Sequence, residues 1–292
     1  MSTFTQSYDE LVARLEAWAA AEANIRAVVV IGSRARADHP ADEWSDLDLL
    51  LFADDPAPYW EDGAWLRHLG SPLLSFVEPT SDRRTIERRV LFDSGCDVDI
   101  VPIPAEALRG MFADGIPPYM ADIVARGVRV LLDKDGMLGI LAQPAPPRPL
   151  PPAVTSAEFG NLVSDFWYHT VWVAKHLRRG ELWYAKSGND MYLKELLLRM
   201  LEWHARARGG QRTDTWMRGR FLEQWADRRA VAALPAVFAR YDGEEVWLAL
   251  LATMDLFRWV SLEAAEALGF AYPAAGMEGA TALVRELYEG RG

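Results

Sequence analysis

The chain carries a single cysteine, Cys96, among its 292 residues, so no internal disulfide can form, and no Cys/His group has the spacing of a zinc site. Any metal is therefore expected on oxygen ligands. No apolar run approaches the roughly 20 residues needed to cross a bilayer. The first ten residues, MSTFTQSYDE, lack the basic and apolar regions of a secretory signal. A cytoplasmic location without a membrane partner is the expectation that follows. There is no internal repeat and no basic stripe. The formal charge is −11, and it is uneven: residues 1–150 hold 24 acids against 14 Lys/Arg, residues 151–292 hold 18 against 17. An acidic field aids solubility; it also disfavours a nucleic-acid backbone and suits cationic substrates. No nucleic-acid partner is expected.

What is present is ample apolar content, 50% of residues, enough to pack two domains of ordinary size. Leu11, Leu15 and Trp18 predict a helix over 8–22. Strands are expected over 27–31, 46–52 and 98–103, with shorter β-like runs at 73–77, 89–92 and 128–132, and a helix over 58–69. Six prolines fall between Pro144 and Pro152, a composition that suits an extended spacer and cannot be helix. Beyond it the periodicity turns helical, over 157–179, 190–208 and 244–268. Eight of the twelve tryptophans lie in this half, at spacings that suit a bundle core. The fold class read from this pattern is α+β: a mixed-sheet domain over 1–135, a proline-rich linker over 136–156, and an α-helical bundle domain over 157–292.

The chemistry concentrates in the first half. Asp46 and Asp48 stand two apart in Ser45-Asp-Leu-Asp-Leu-Leu-Leu-Phe, so on a strand they share a face while Leu47 and Leu49 point to the core. Side-by-side carboxylates repel unless a cation lies between them, and a hard divalent metal carrying triphosphate oxygens is the natural occupant. Asp99 opens another apolar strand about fifty residues on and supplies a third ligand. Gly32-Ser33 closes the run Val28-Val29-Val30-Ile31; it suits an ordinary turn, and equally one whose Ser33 hydroxyl and following N–H groups grip phosphate.

Nucleotidyl transfer demands mainly positioning and charge neutralisation at phosphorus. Two divalent ions, typically ~3.5–4 Å apart, hold the attacking and leaving oxygens in such sites. Asp46 and Asp48 are expected to bridge them. Asp99 is expected to bind the metal beside the acceptor hydroxyl and to take its proton. Arg34 and Arg36 are candidates for phosphate contact, and Asp97, on the strand face of Asp99, for a base or an ammonium partner. In the helical half Lys175 and Lys186 are candidates for the triphosphate, and Glu181, Glu195 and Glu202 for a cationic substrate. Each has an ordinary alternative: solvated arginines, a Glu195/Arg199 helix pair, and packing for His169 and His176.

The Gly-Ser, Asp-x-Asp and distant Asp layout is similar to that of the nucleotidyltransferase superfamily related to DNA polymerase beta. More closely, the chain resembles the bacterial aminoglycoside 6-adenylyltransferases, also called streptomycin adenylyltransferases. The likeness runs through Ile31-Gly32-Ser33-Arg34-Ala35, Ser45-Asp46-Leu47-Asp48 and Val98-Asp99-Ile100-Val101-Pro102-Ile103-Pro104. It continues in Phe166-Trp167, Val173-Ala174-Lys175, Arg179-Gly180-Glu181, Ala185-Lys186, Leu198-Arg199-Met200-Leu201-Glu202-Trp203 and Leu268-Gly269-Phe270-Ala271-Tyr272-Pro273. The resemblance implies an N-terminal nucleotidyltransferase domain, ATP as co-substrate, Mg2+, transfer of AMP to an aminoglycoside hydroxyl, and antibiotic resistance. The family's usual target is the 6-hydroxyl of streptomycin's streptidine ring, whose guanidinium groups suit an acidic surface. The Asp38–Trp44 loop, the linker and Lys186–Leu193 depart from the commoner family sequences, and the last is expected to border the acceptor. Another hydroxyl acceptor, or a binding protein of the same fold, are the alternatives.

Overall fold

The computed structural model describes residues 7–80, 83–111, 115–142 and 146–290. It comprises two compact units, Met1–Pro149 and Leu150–Gly292. Of the expected proline-rich linker over 136–156, residues 143–145, Pro144 included, lie outside the described residues.

The first unit opens with α1 (Tyr8–Ala21), set by a reciprocal cap in which the Ser7 hydroxyl accepts from the Glu10 N–H and the Glu10 carboxylate accepts from the Ser7 N–H. There follow β1 (Ile25–Ile31), β2 (Leu47–Ala53), α2 (Ala57–Glu61), β3 (Pro72–Pro79), β4 (Ile86–Phe92), β5 (Asp97–Pro104), α3 (Ala105–Met111), α4 (Pro118–Arg126) and β6 (Arg129–Asp133). The strands form one sheet in the order β3-β4-β5-β2-β1-β6. Among the described residues only β2 and β5 pair in parallel, so the sheet is mixed.

Both faces of its centre are covered, which is why the central strands read as unbroken apolar runs. Leu47, Leu49, Val28 and Val30 pack with Leu11 and Leu15 of α1, and Val29, Leu50 and Phe52 pack with Leu108, Met120 and Val124. The helix expected over 58–69 is broken: α2 stops at Glu61, and after Gly63 a 3-10 turn runs from Ala64 to His68. The Asp62 carboxylate accepts from the Ala64 N–H and so ends one element and starts the next.

The second unit is helical: α5 (Ser156–Arg178), α6 (Leu182–Ser187), α7 (Leu193–Gly209), α8 (Leu222–Trp225), α9 (Arg228–Val237), α10 (Gly243–Leu268) and α11 (Ala274–Glu289). Its core holds Phe159, Phe166, Met200, Leu250 and Phe257, with the Phe166 and Phe257 rings stacked 3.6 Å apart. Trp167 and Trp247 are buried as expected, whereas Trp183 is 74% exposed. The helix expected from 190 begins at Leu193, because Gly188–Tyr192 forms a π turn. A Cβ on Gly188 would come within 2.6 Å of the Trp172 ring, so this turn has the close approach that only glycine allows.

Candidate active site

The parallel register of β2 and β5 sets Asp48 directly beside Asp99. Asp46 lies just before β2 and two residues from Asp48, which returns it to the same face. One carboxylate oxygen from each of the three lies within 4.8 Å of the others, and all three residues are half-buried. Burial pushes the Asp99 carboxyl up to about 6, and the neighbouring Asp46 and Asp97 add to the effect. The Arg89 guanidinium, 3.3 Å from Asp99, pulls in the other direction without cancelling it. Three hard oxygen donors converging under these conditions suit a small divalent cation.

The turn after β1 is shaped around this group. Gly32 has φ +70°, and a Cβ built on it would lie 2.1 Å from Asp48 Oδ2. The glycine is thus required by the backbone and by the carboxylate together. Ser33 is nearly buried, and among the described residues its Oγ has no hydrogen-bond partner. A leftover buried donor or acceptor beside the triad is what a phosphate oxygen would satisfy. The amides of Ala35 and Arg36 both close on the Gly32 carbonyl and are already used.

Arg34 is placed in a holding task. Its Nε donates to the Asp46 carbonyl at 3.0 Å, and its Nη2 to the carbonyls of Ser45 at 2.5 Å and Asp42 at 3.3 Å. The guanidinium carbon sits 3.4 Å from the centre of the Tyr8 ring. Arg36 likewise turns to backbone, donating to the His39 carbonyl at 2.8 Å. Asp97 is exposed and accepts from the Tyr8 hydroxyl at 2.7 Å. Burial and this bond to Asp97 raise the Tyr8 phenol well above its usual range, so Tyr8 stays a donor.

Tyr8 and Arg89 were not foreseeable as site residues. The alternation in Ile86-Glu-Arg-Arg-Val-Leu-Phe puts Glu87 and Arg89 on one strand face, but only the sheet order brings Arg89 opposite Asp99. Arg89 also binds Glu78 at 2.7 Å and Glu87 at 2.8 Å, which fixes its head group.

In the second unit Lys175 is exposed beside a cavity of about 380 Å³ walled by Trp167, Tyr168, Trp172, Met277 and Leu283. Lys186 pairs with Asp190 and donates to the Ala239 carbonyl at 2.6 Å. Glu181 pairs with His176 and with Arg179. Glu195 is exposed; the expected Glu195/Arg199 pair is absent among the described residues, and Arg199 lies over the Trp203 ring. Burial raises the Glu202 carboxyl. His169 and His176 both pack against Trp172, and each also contacts a carboxylate, Asp165 and Glu181.

Comparison with known proteins agrees in direction with this chemistry. The family profile described as streptomycin adenylyltransferase matches residues 5–286. The aminoglycoside 6-adenylyltransferase of Bacillus subtilis (strain 168) is 26% identical over 259 residues, covering 85% of this chain and 87% of that protein. The aminoglycoside 6-adenylyltransferase of Campylobacter jejuni is 26% identical over 272 residues, covering 88% and 87%. The crystal structure of an aminoglycoside 6-adenyltransferase from Bacillus subtilis superposes with a TM-score of 0.45 at 22% identity, covering 97% of this chain and 99% of that one.

Proposed function

The chain belongs to the streptomycin adenylyltransferase family, and from that premise we propose that it transfers AMP from ATP to a hydroxyl of an aminoglycoside, the 6-hydroxyl of streptomycin, and so confers resistance. The observation that carries this reading is the convergence of Asp46, Asp48 and Asp99 on one point of the sheet.

Those three carboxylates would hold Mg2+, which when bound supplies positive charge to the triphosphate oxygens. The Ser33 hydroxyl donates to a phosphate oxygen and thereby gains the partner it lacks. Asp99 accepts the proton of the acceptor hydroxyl as that oxygen attacks the α-phosphorus, the bond to the α,β-bridging oxygen breaks, and pyrophosphate leaves. Arg34, braced on Tyr8, holds the Asp46 backbone so that the triad keeps its spacing. Asp97, on the β5 face of Asp99, receives a cationic group of the acceptor.

Incubation with ATP, Mg2+ and streptomycin, followed by mass spectrometry and NMR of the product, tests the reading. A single AMP on the 6-hydroxyl is expected. AMP at another position overturns the regiochemistry, and unmodified streptomycin overturns the acceptor.

A further inference from the structure

Among the described residues β3 is the end strand of the sheet, hydrogen-bonded to β4 alone. Natural sheet edges carry lysine, proline or other charge along their length, because an open row of N–H and C=O groups otherwise recruits another strand. Residues 73–77 of β3 carry none of these; Pro72 and Pro79 stand at its ends, and the register with β4 slips by one residue at Leu73. Instead Leu73 is 62%, Leu74 66%, Phe76 54% and Val77 46% exposed, and Ile86 of β4 beside them is 42% exposed.

The order of these residues is self-complementary. In an antiparallel pairing of two β3 strands centred on Ser75, Leu74 of each copy faces Phe76 of the other on one side of the sheet. Val77 and Leu73, the latter at a register slip of β3, flank that pair. Centring the pairing on Phe76 places Leu74 against Glu78 instead. The one charge on β3, Glu78, falls outside the Leu73–Val77 core of this pairing and is already bound by Arg89 at 2.7 Å. Two acidic chains therefore meet on a neutral strip. Leu74 and Phe76, 66% and 54% exposed, are the side chains that the pairing brings together.

We propose that β3 is a dimerisation strand, pairing antiparallel with β3 of a second copy of this chain across a two-fold axis at Ser75. The interface is isologous and joins the two sheets edge to edge. An edge left open would instead template unlimited association, and this pairing consumes it in one step.

Sedimentation velocity of the full chain up to about 100 µM tests the proposal. The wild type is expected to sediment as a dimer, and Phe76→Lys and Leu74→Lys as monomers with unchanged circular dichroism, dissociation constants rising at least about 100-fold. Under mild oxidation Ser75→Cys is expected to give a covalent dimer, since the axis sets position 75 against itself and the native Cys96 is buried. A wild type that stays monomeric throughout, or a dimer that survives both lysine substitutions, overturns the proposal. A dimer that Phe76→Lys dissociates but Ser75→Cys fails to cross-link overturns the register.

Discussion

Gly32 has no Cβ because the Asp48 carboxylate occupies the place where one would stand. That contact ties the turn after β1 to the triad more tightly than the sequence alone reveals. Gly32→Ala must strain a left-handed backbone, at about 1–2 kcal/mol, and push the carboxylate aside. A displacement near 1 Å costs on the order of 100-fold in rate when groups must be aligned. The variant is therefore expected to fold, with a modestly lowered denaturation midpoint, and to lose AMP transfer by about 100-fold or more; transfer at the wild-type rate would contradict the arrangement. At this scale the sequence was informative. Asp46 and Asp48 were legible because strand alternation is a local rule, whereas Tyr8 and Arg89 act through partners 89 and 10 positions away, Asp97 and Asp99, which no local rule connects.

Elements carried over in type better than in boundary. The apolar runs at β1 and β2 announce strands buried on both faces, while β5 alternates, and the order of the strands in the sheet follows from pairings between distant segments. The π turn at Gly188–Tyr192 stayed hidden because the apolar spacing of α7 resumes at once and hides the extra residue. Beneath that turn Lys194 donates to the Asn189 carbonyl at 3.0 Å and to Thr253 Oγ1 at 2.9 Å, tying the turn to α10. Burial pushes its ammonium down from 10.5 to about 7, despite the nearby Asp190. Between those two values the unfolded chain binds a proton that the folded chain does not, so stability rises with pH across this window. From pH 7 to pH 9 the wild type is expected to gain on the order of 2 kcal/mol relative to Lys194→Met, read from urea unfolding at each pH. Parallel pH curves for the two proteins would show that the lysine stays charged in the fold.

The whole molecule carries its acidity mainly in the half that holds the triad. Such a field draws a cationic acceptor in at a distance, and salt weakens it, the Debye length falling from ~10 Å at 0.1 M to ~3 Å at 1 M. KM for a cationic aminoglycoside is accordingly expected to rise several-fold from low to high salt with kcat little changed. A KM indifferent to salt would locate acceptor recognition in short-range contacts alone.

The central claim is that Asp46, Asp48 and Asp99 form a metal-dependent nucleotidyl-transfer site. Pyrophosphate release from ATP and Mg2+ with streptomycin, compared with spectinomycin, kanamycin and no acceptor, tests it most directly, with Asp48→Asn as the control. The account predicts release that requires streptomycin and Mg2+ and that disappears in Asp48→Asn while its unfolding curve barely moves. Release that persists in that variant or in EDTA would contradict it.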